Sequence, residues 1–343
     1  MRILILISVI SILLILGCLP YNAVYAEGVD GENGTALNSS DFVPYWINPN
    51  QEDIWLEGDY AYICSGGNGL HIFDIADPLN PVLVNTVCGD AGNKICVSSG
   101  YAYTFGYSAW LNVYDITSPE TAYLAYRENT HSNMVDLSMV VDGILYTRSV
   151  YGFSIYDISP DTGIKELSHH TCNVFISCLA VSGGYAYLGI NYVGLAIIDV
   201  DPPAEEHNVG GVKMDLPSSI AISDGFAYVT VNNQGLTIVD IDPPESAHII
   251  STVTDPVSAD HNSSLAIDGG LACIADYKSG LHIYDVGNPE DAGLLKIVEC
   301  PGPAMGVKLR GCIAYVISGD EIYIIDLRIP EDAYVVKSFF TPW

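Results

Sequence analysis

The apolar positions of this chain fall in runs of five or six residues instead of helical stripes, and the runs end alike. "GLTIVDIDPP", residues 235 to 244, is apolar on both sides of a strand's two-residue alternation, then stops at acids and prolines. Near copies are "GLHIFDIADP" ending at Pro78, "WLNVYDITSP" at Pro119, "GFSIYDISP" at Pro160, "GLAIIDVDPP" at Pro203, "GLHIYDVGNP" at Pro289 and "EIYIIDLRIP" at Pro330. Their shared aspartates, Asp74, Asp115, Asp157, Asp199, Asp240, Asp285 and Asp326, recur at intervals of 41, 42, 42, 41, 45 and 41 residues. A period of this length with strand-like content marks the blades of a propeller or the turns of a solenoid.

Each period holds three further apolar segments. Before the phrase stands a signature such as "GGYAYLG" or "DGFAYVT", before that a segment such as "SIAISDG", and after the proline another, such as "AHIISTV". Four short segments bounded by Gly, Asn, Asp and Pro describe a four-stranded antiparallel blade. The expectation is an all-β fold: a seven-bladed β-propeller over residues 51–343, closed because closure removes exposed sheet edges. The phrase becomes the third strand of its blade, apolar on both faces because a neighbouring blade covers each. The aspartate is expected to accept turn N–H groups and the proline to end the ladder. A single active site does not need a copy in every blade, so these seven aspartates are assigned to structure.

A strand ending in "IVDI", followed by Pro and preceded by "AYV" after a glycine turn, resembles the LVIVD-repeat family of prokaryotic surface proteins. The likeness covers about residues 51 to 343, with local departures at "YAYIC", at "LACIA" and in the last phrase, which lacks the leading Gly-Leu pair. The resemblance implies a β-propeller in the cell envelope or outside it, described by adhesion or interaction and by no settled enzymatic reaction.

Charge narrows the partners. Twelve Lys and Arg stand against 41 Asp and Glu, a net charge of −29, which repels phosphate backbones and argues against nucleic acid. At the N-terminus, Arg2, the apolar run Ile3 to Leu16, Pro20 and "AVYA" read as a secretory signal over 1–26. "ILGC" offers a rival, lipidation at Cys18, so the product is either secreted or anchored as a lipoprotein. No second apolar stretch of spanning length follows, so no membrane span is expected after signal removal. Residues 27–50 read as a flexible tether, with glycosylation patterns at Asn33 and Asn38, a third such pattern further on at Asn262, and a possible latch strand at 42–47.

Nine cysteines fit an oxidising compartment. Without Cys18, the proximity of Cys88 to Cys96, Cys172 to Cys178 and Cys300 to Cys312 suggests disulfide clasps, whereas Cys64 and Cys273 read as buried thiols.

Catalytic patterns are absent from the sequence: no HExxH, GxSxG or phosphate loop, and "DVDPP" lacks the other ligand positions of a calcium loop. No metal or cofactor is therefore expected. His71 and His282 lie inside the repeated strand and read as structural. Function should lie where the copies differ, in the loops joining second to third strands and those entering first strands, which share one face of a propeller. That face is expected to carry Tyr107, Trp110, His131, Arg148, Tyr151, Asn191, Tyr192, His261, Tyr277 and Lys278, with His169 and His170 beside them. Aromatic, amide and cationic groups suit a protein, peptide or glycan partner. Two readings follow: a non-catalytic binding or scaffold protein of the envelope, or a propeller lyase or glycan hydrolase using His131, His169, His170 or His261 as acid or base and Arg148 against an anion.

Overall fold

The computed structural model describes residues 53–340 apart from 106–109, 130–133, 150–151, 159–162, 172–173, 256–263 and 320. The expected signal, tether and latch strand lie outside the described residues. Within them the chain forms seven four-stranded antiparallel sheets, each built from consecutive strands. Blade 1 spans 53–87, blade 2 94–129, blade 3 134–171, blade 4 176–212, blade 5 217–254, blade 6 264–298 and blade 7 304–340. The first strand of each blade touches the first strand of the next, and that of blade 7 touches that of blade 1, so the ring closes.

Blade 5 shows why the repeated phrase is apolar throughout. Its third strand, Gly235–Asp240, sends Leu236 and Ile238 into a cluster with Ala272, Ile274 and Tyr284 of blade 6. Val239, with Ile241 just beyond the strand, packs on Tyr187, Leu195 and Ile197 of blade 4. Every seam has such a cluster, and the core is the set of seams. The glycine that opens the phrase is set by sterics: Gly235 has φ +112°, and a Cβ there would meet Val253 O at 2.2 Å.

The end of the phrase is as regular. Asp240 Oδ1 accepts Asp242 N–H at 2.9 Å, and Asp74, Asp115, Asp199, Asp285 and Asp326 each accept the N–H two residues on. The proline then starts a 3-10 turn, such as Pro244–Ser246. Such turns dock on the outer strand of the preceding blade. Asn85 donates to Pro119 O and Ala122 O, Ser251 donates to Pro289 O, and Gly210 leaves room for Pro244 O. All seven outer strands carry a register slip against the third strand, which bends the edge and disfavours further pairing.

Blade 7 contains its own outer strand, Tyr334–Phe340, so side chains close the ring. Tyr315, Ile317, Ile322 and Ile324 pack on Ile54, Ile63 and Phe73 of blade 1. Arg310 donates to Ile75 O at 2.7 Å and pairs with Asp59, and Phe339 lies 5.0 Å from Phe73 between ring centroids.

The expected disulfides are corrected. Cys64, Cys88, Cys96, Cys178, Cys273, Cys300 and Cys312 are not joined in disulfides; Cys172 lies outside the described residues. Cys96 sits mid-strand in the seam between blades 2 and 3, whereas Cys88 is exposed after the outer strand of blade 1. Cys300 and Cys312 flank opposite ends of the strand Ala304–Arg310, which holds them on opposite faces of the ring. Burial pushes the thiols of Cys178 and Cys273 up to about 12, which keeps them neutral and unreactive.

Candidate functional site

The loops between second and third strands and those between blades emerge together, as the antiparallel order requires. Of the residues expected there, Tyr107, His131, Tyr151 and His261 lie outside the described residues. Tyr192 is 81% exposed, with Val193 exposed beside it. Its backbone is left-handed, φ 63°, and it occupies the place that Asn233 holds in blade 5 with φ 60°. Asparagine enters that conformation readily and a tyrosine does so at a cost. The tip is nonetheless fixed, because Tyr192 N–H bonds Asp215 O at 3.0 Å and Val193 N–H bonds Ile190 O at 3.1 Å.

Beneath Tyr192 a groove of about 530 Å³ opens between blades 4 and 5. Val193, Met214 and Ile249 supply its apolar lining, with Lys213, Asp215 and Gln234 as polar groups. Asn191, half-buried, donates its N–H to Phe175 O and so anchors the same loop. A second concavity, about 350 Å³, lies between the same blades at their opposite turns, lined by Tyr185, Tyr187, Asp224 and Asp242.

Other expected face residues are placed differently. Arg148 is 5% exposed and donates to Ile176 O at 2.8 Å, so it braces blade 3 against blade 4 and presents no cation to a ligand. Trp110 is half-buried beneath Arg127, whose guanidinium lies 4.9 Å from the ring and 3.8 Å from Asp90. His169 and His170 belong to the outer strand Lys165–Thr171, at the rim and away from the channel mouth. His169 Nδ1 lies 2.7 Å from Ser154 Oγ, and the His170 ring lies 5.3 Å from that of Phe153. Tyr277 is half-buried and Lys278 exposed, both on the blade 6 loop that precedes Gly280.

One cluster escaped the sequence reading. His282, on the third strand of blade 6, is 2% exposed. Its Nδ1 bonds Asp255 Oδ2, and its Nε2 lies 2.6 Å from Ser279 Oγ. Tyr284 donates its hydroxyl to Asp255 Oδ2 at 2.7 Å, and burial together with that carboxylate pushes the phenol well up. The order Asp, His, Ser is that of a hydrolytic triad, but the surroundings differ. Ser279 Oγ also bonds Asp276 Oδ1, and that oxygen takes the backbone N–H groups of Lys278 and Ser279 at 3.1 and 2.9 Å. The backbone donors nearest the serine are thus turned to a carboxylate and away from the place where an oxyanion would form. Sequence alone gave a single signal here, a histidine three residues after a serine, and Asp255 lies in the preceding period.

The LVIVD-repeat family model matches residues 50–89, 177–209, 217–255 and 260–299, over blades 1, 4, 5 and 6. No curated protein matches. Among solved structures, the chain is similar to the β-propeller domain of Cps50 (Swd1) from Myceliophteria thermophila, at 12% identity and a TM-score of 0.63, covering 80% of this chain and 95% of that one. It is similar to a functionally unknown protein from Desulfotomaculum acetoxidans, at 13% identity and 0.59, covering 71% and 80%. A computationally designed protein, Ika8, aligns at 12% identity and 0.55, covering 77% and 79%. At these identities the likeness concerns the fold.

Proposed function

Because the chain carries LVIVD repeats in a closed seven-bladed ring, we propose that it is an exported, non-catalytic binding or scaffold protein of the cell envelope. It engages a protein, peptide or glycan through the loop face, and the groove between blades 4 and 5 is the anchor point. The observation that carries this reading is Tyr192: a large aromatic ring held out to solvent, on a left-handed backbone, over an apolar groove with amide and charged groups at hand. Backbone strain retained at an exposed aromatic tip supports a role in contact better than one in folding. The acidic surface argues against nucleic acid, and the apolar N-terminal run supports export.

The test is a screen of envelope glycans and peptides against the whole ring that records binding and product formation together. Tyr192→Asn places at the tip the residue that blade 5 accommodates at Asn233, so stability should hold or rise. Binding should fall about tenfold, equivalent to roughly 1.4 kcal/mol. Unchanged binding removes Tyr192 as the anchor. Reproducible turnover, lost on mutation of a loop histidine while binding survives, replaces the binding reading with an enzymatic one.

A further inference from the structure

The concavity at the opposite turns of blades 4 and 5 is built from four repeat positions. Tyr185 and Tyr187 stand on the second strand of blade 4, Asp224 in the hairpin turn that joins the first two strands of blade 5, and Asp242 in the turn after its third strand. At the seam between blades 1 and 2 the same four positions hold Tyr60, Tyr62, Ser99 and Thr117. Along the sequence, two tyrosines meet two aspartates at these positions in the seam of blades 4 and 5 alone.

The polar groups of that place are left unspent. At the seam of blades 1 and 2, Tyr60 donates its hydroxyl to Glu120 Oε1 at 2.7 Å, on the turn opened by Pro119. Glu245 is the counterpart of Glu120, on the turn Pro244–Ser246, yet among the described residues the hydroxyls of Tyr185 and Tyr187 make no hydrogen bond to it or to any other group. Tyr187 is 3% exposed and lines the cavity, so its hydroxyl is a buried polar group facing that space. Burial pushes its phenol up, with Tyr185 and the Asp242 carboxylate adding to the rise, which sets Asp242 close to that hydroxyl and keeps the phenol neutral. Asp224 Oδ2 accepts the Ser223 hydroxyl at 2.8 Å. No Lys, Arg or His lines the cavity, and among the described residues no ion pair reaches either aspartate.

We propose that this cavity of about 350 Å³ binds an alkylammonium group, as a lysine side chain of a partner presents it. An ammonium has three hydrogens to donate and no lone pair. Asp224 and Asp242 offer carboxylate oxygens and Tyr187 its hydroxyl oxygen, while Ile222, Ile241 and Pro244 line a wall for the methylene stem. Phenol rings beside an apolar wall suit an organic cation better than a hydrated metal ion. The inference goes beyond the binding reading, because it adds a site of opposite chemistry at the other turns of the seam and stands whether or not Tyr192 is an anchor.

The probe is the tripeptide acetyl-Gly-Lys-Gly-amide, compared with the same peptide carrying norleucine and with glucose, each titrated into the whole ring and followed by backbone amide NMR. At about 0.15 M salt, attraction by distant charges of the chain is screened beyond about 8 Å. The lysine peptide should shift the amides of Gly183, Tyr185, Asp224, Gly225 and Asp242, and its affinity should exceed that of the norleucine peptide about tenfold or more. The pair Asp224→Asn with Asp242→Asn changes exposed side chains and should lower that affinity about tenfold. Tyr187→Phe keeps the ring in the seam, removes the hydroxyl and should lower it about threefold. Shifts scattered over the acidic surface, equal affinity for the norleucine peptide, or an Asn pair that binds like the wild type overturns the site. Glucose shifting the same amides at lower concentration than the lysine peptide replaces the ammonium with a sugar. None of these readouts involves the groove under Tyr192, so the two readings fail separately.

Discussion

His71 and His282 stand at the same place in blades 1 and 6, inside "GLHIFD" and "GLHIYD", and their surroundings are opposite. Both are almost wholly buried. His71 Nδ1 meets Thr86 Oγ1 at 3.1 Å and its Nε2 has no hydrogen-bond partner among the described residues. His282 has an oxygen on each ring nitrogen. Burial lowers the pKa of His71. One repeat phrase thus carries two buried histidines with opposite hydrogen-bonding surroundings, and what separates them comes from other segments: Thr86 on the outer strand of the same blade, Asp255 at the end of the preceding one. A repeat position guarantees an environment only as far as the neighbouring blades repeat too.

The largest effect should come from breaking the blade 6 side. Asp255→Ala leaves the buried line without its acceptor and should cost about 3–5 kcal/mol at pH 5.5, read by urea denaturation. The matching change in blade 1, His71→Leu, removes an unsatisfied nitrogen along with the ring and should stay within about 1 kcal/mol of wild type at pH 8. Equal costs would erase the contrast.

The pH response sharpens it further. Burial disfavours the charged form of His71, so below about pH 6.5 the unfolded chain takes a proton that the folded chain resists. That contribution is fully present above pH 6.5 and lost as pH falls. His71→Leu should therefore be more stable relative to wild type at pH 5 than at pH 8, in paired melts. A gain that grows with rising pH would reverse the assignment.

The smallest effect belongs to what the two blades share. Asp74 and Asp285 accept the N–H of Ala76 and Gly287 in the same turn. Asp74→Ala and Asp285→Ala should each cost about 1 kcal/mol, alike within error, in the same denaturation assay. A large difference would mean that the turn itself differs between the blades.

The ring was legible because its cause is periodic. A strand covered on both faces must be apolar throughout, its turn needs an acceptor and a proline, and both marks repeat every 41 to 45 residues. The candidate site was legible only at Tyr192, where a loop residue departs from its counterpart Asn233. Arg148 was misplaced because a cation near a loop reads as solvent-facing, while here a carbonyl across the seam receives it. His169 and His170 were assigned to a connecting loop because the outer strand is polar enough to resemble one. The cysteine pairs failed for a related reason: closeness along the chain ignores a whole strand standing between Cys300 and Cys312. The blade 6 line depends on Asp255, whose distance from His282 exceeds any local motif.

The seam between blades 7 and 1 is joined by packing and by Arg310, and among the described residues no strand is borrowed across it. Every blade is a continuous stretch of chain, so the order in which blades are written is separable from the order in which they stand. Residue 340 and residue 53 lie in adjoining blades. A circular permutant that links them and opens the chain between residues 254 and 264 would run blade 6 first and blade 5 last around the same circle. Such a permutant keeps each seam's packing while making the blade 5 and 6 seam the new point of closure.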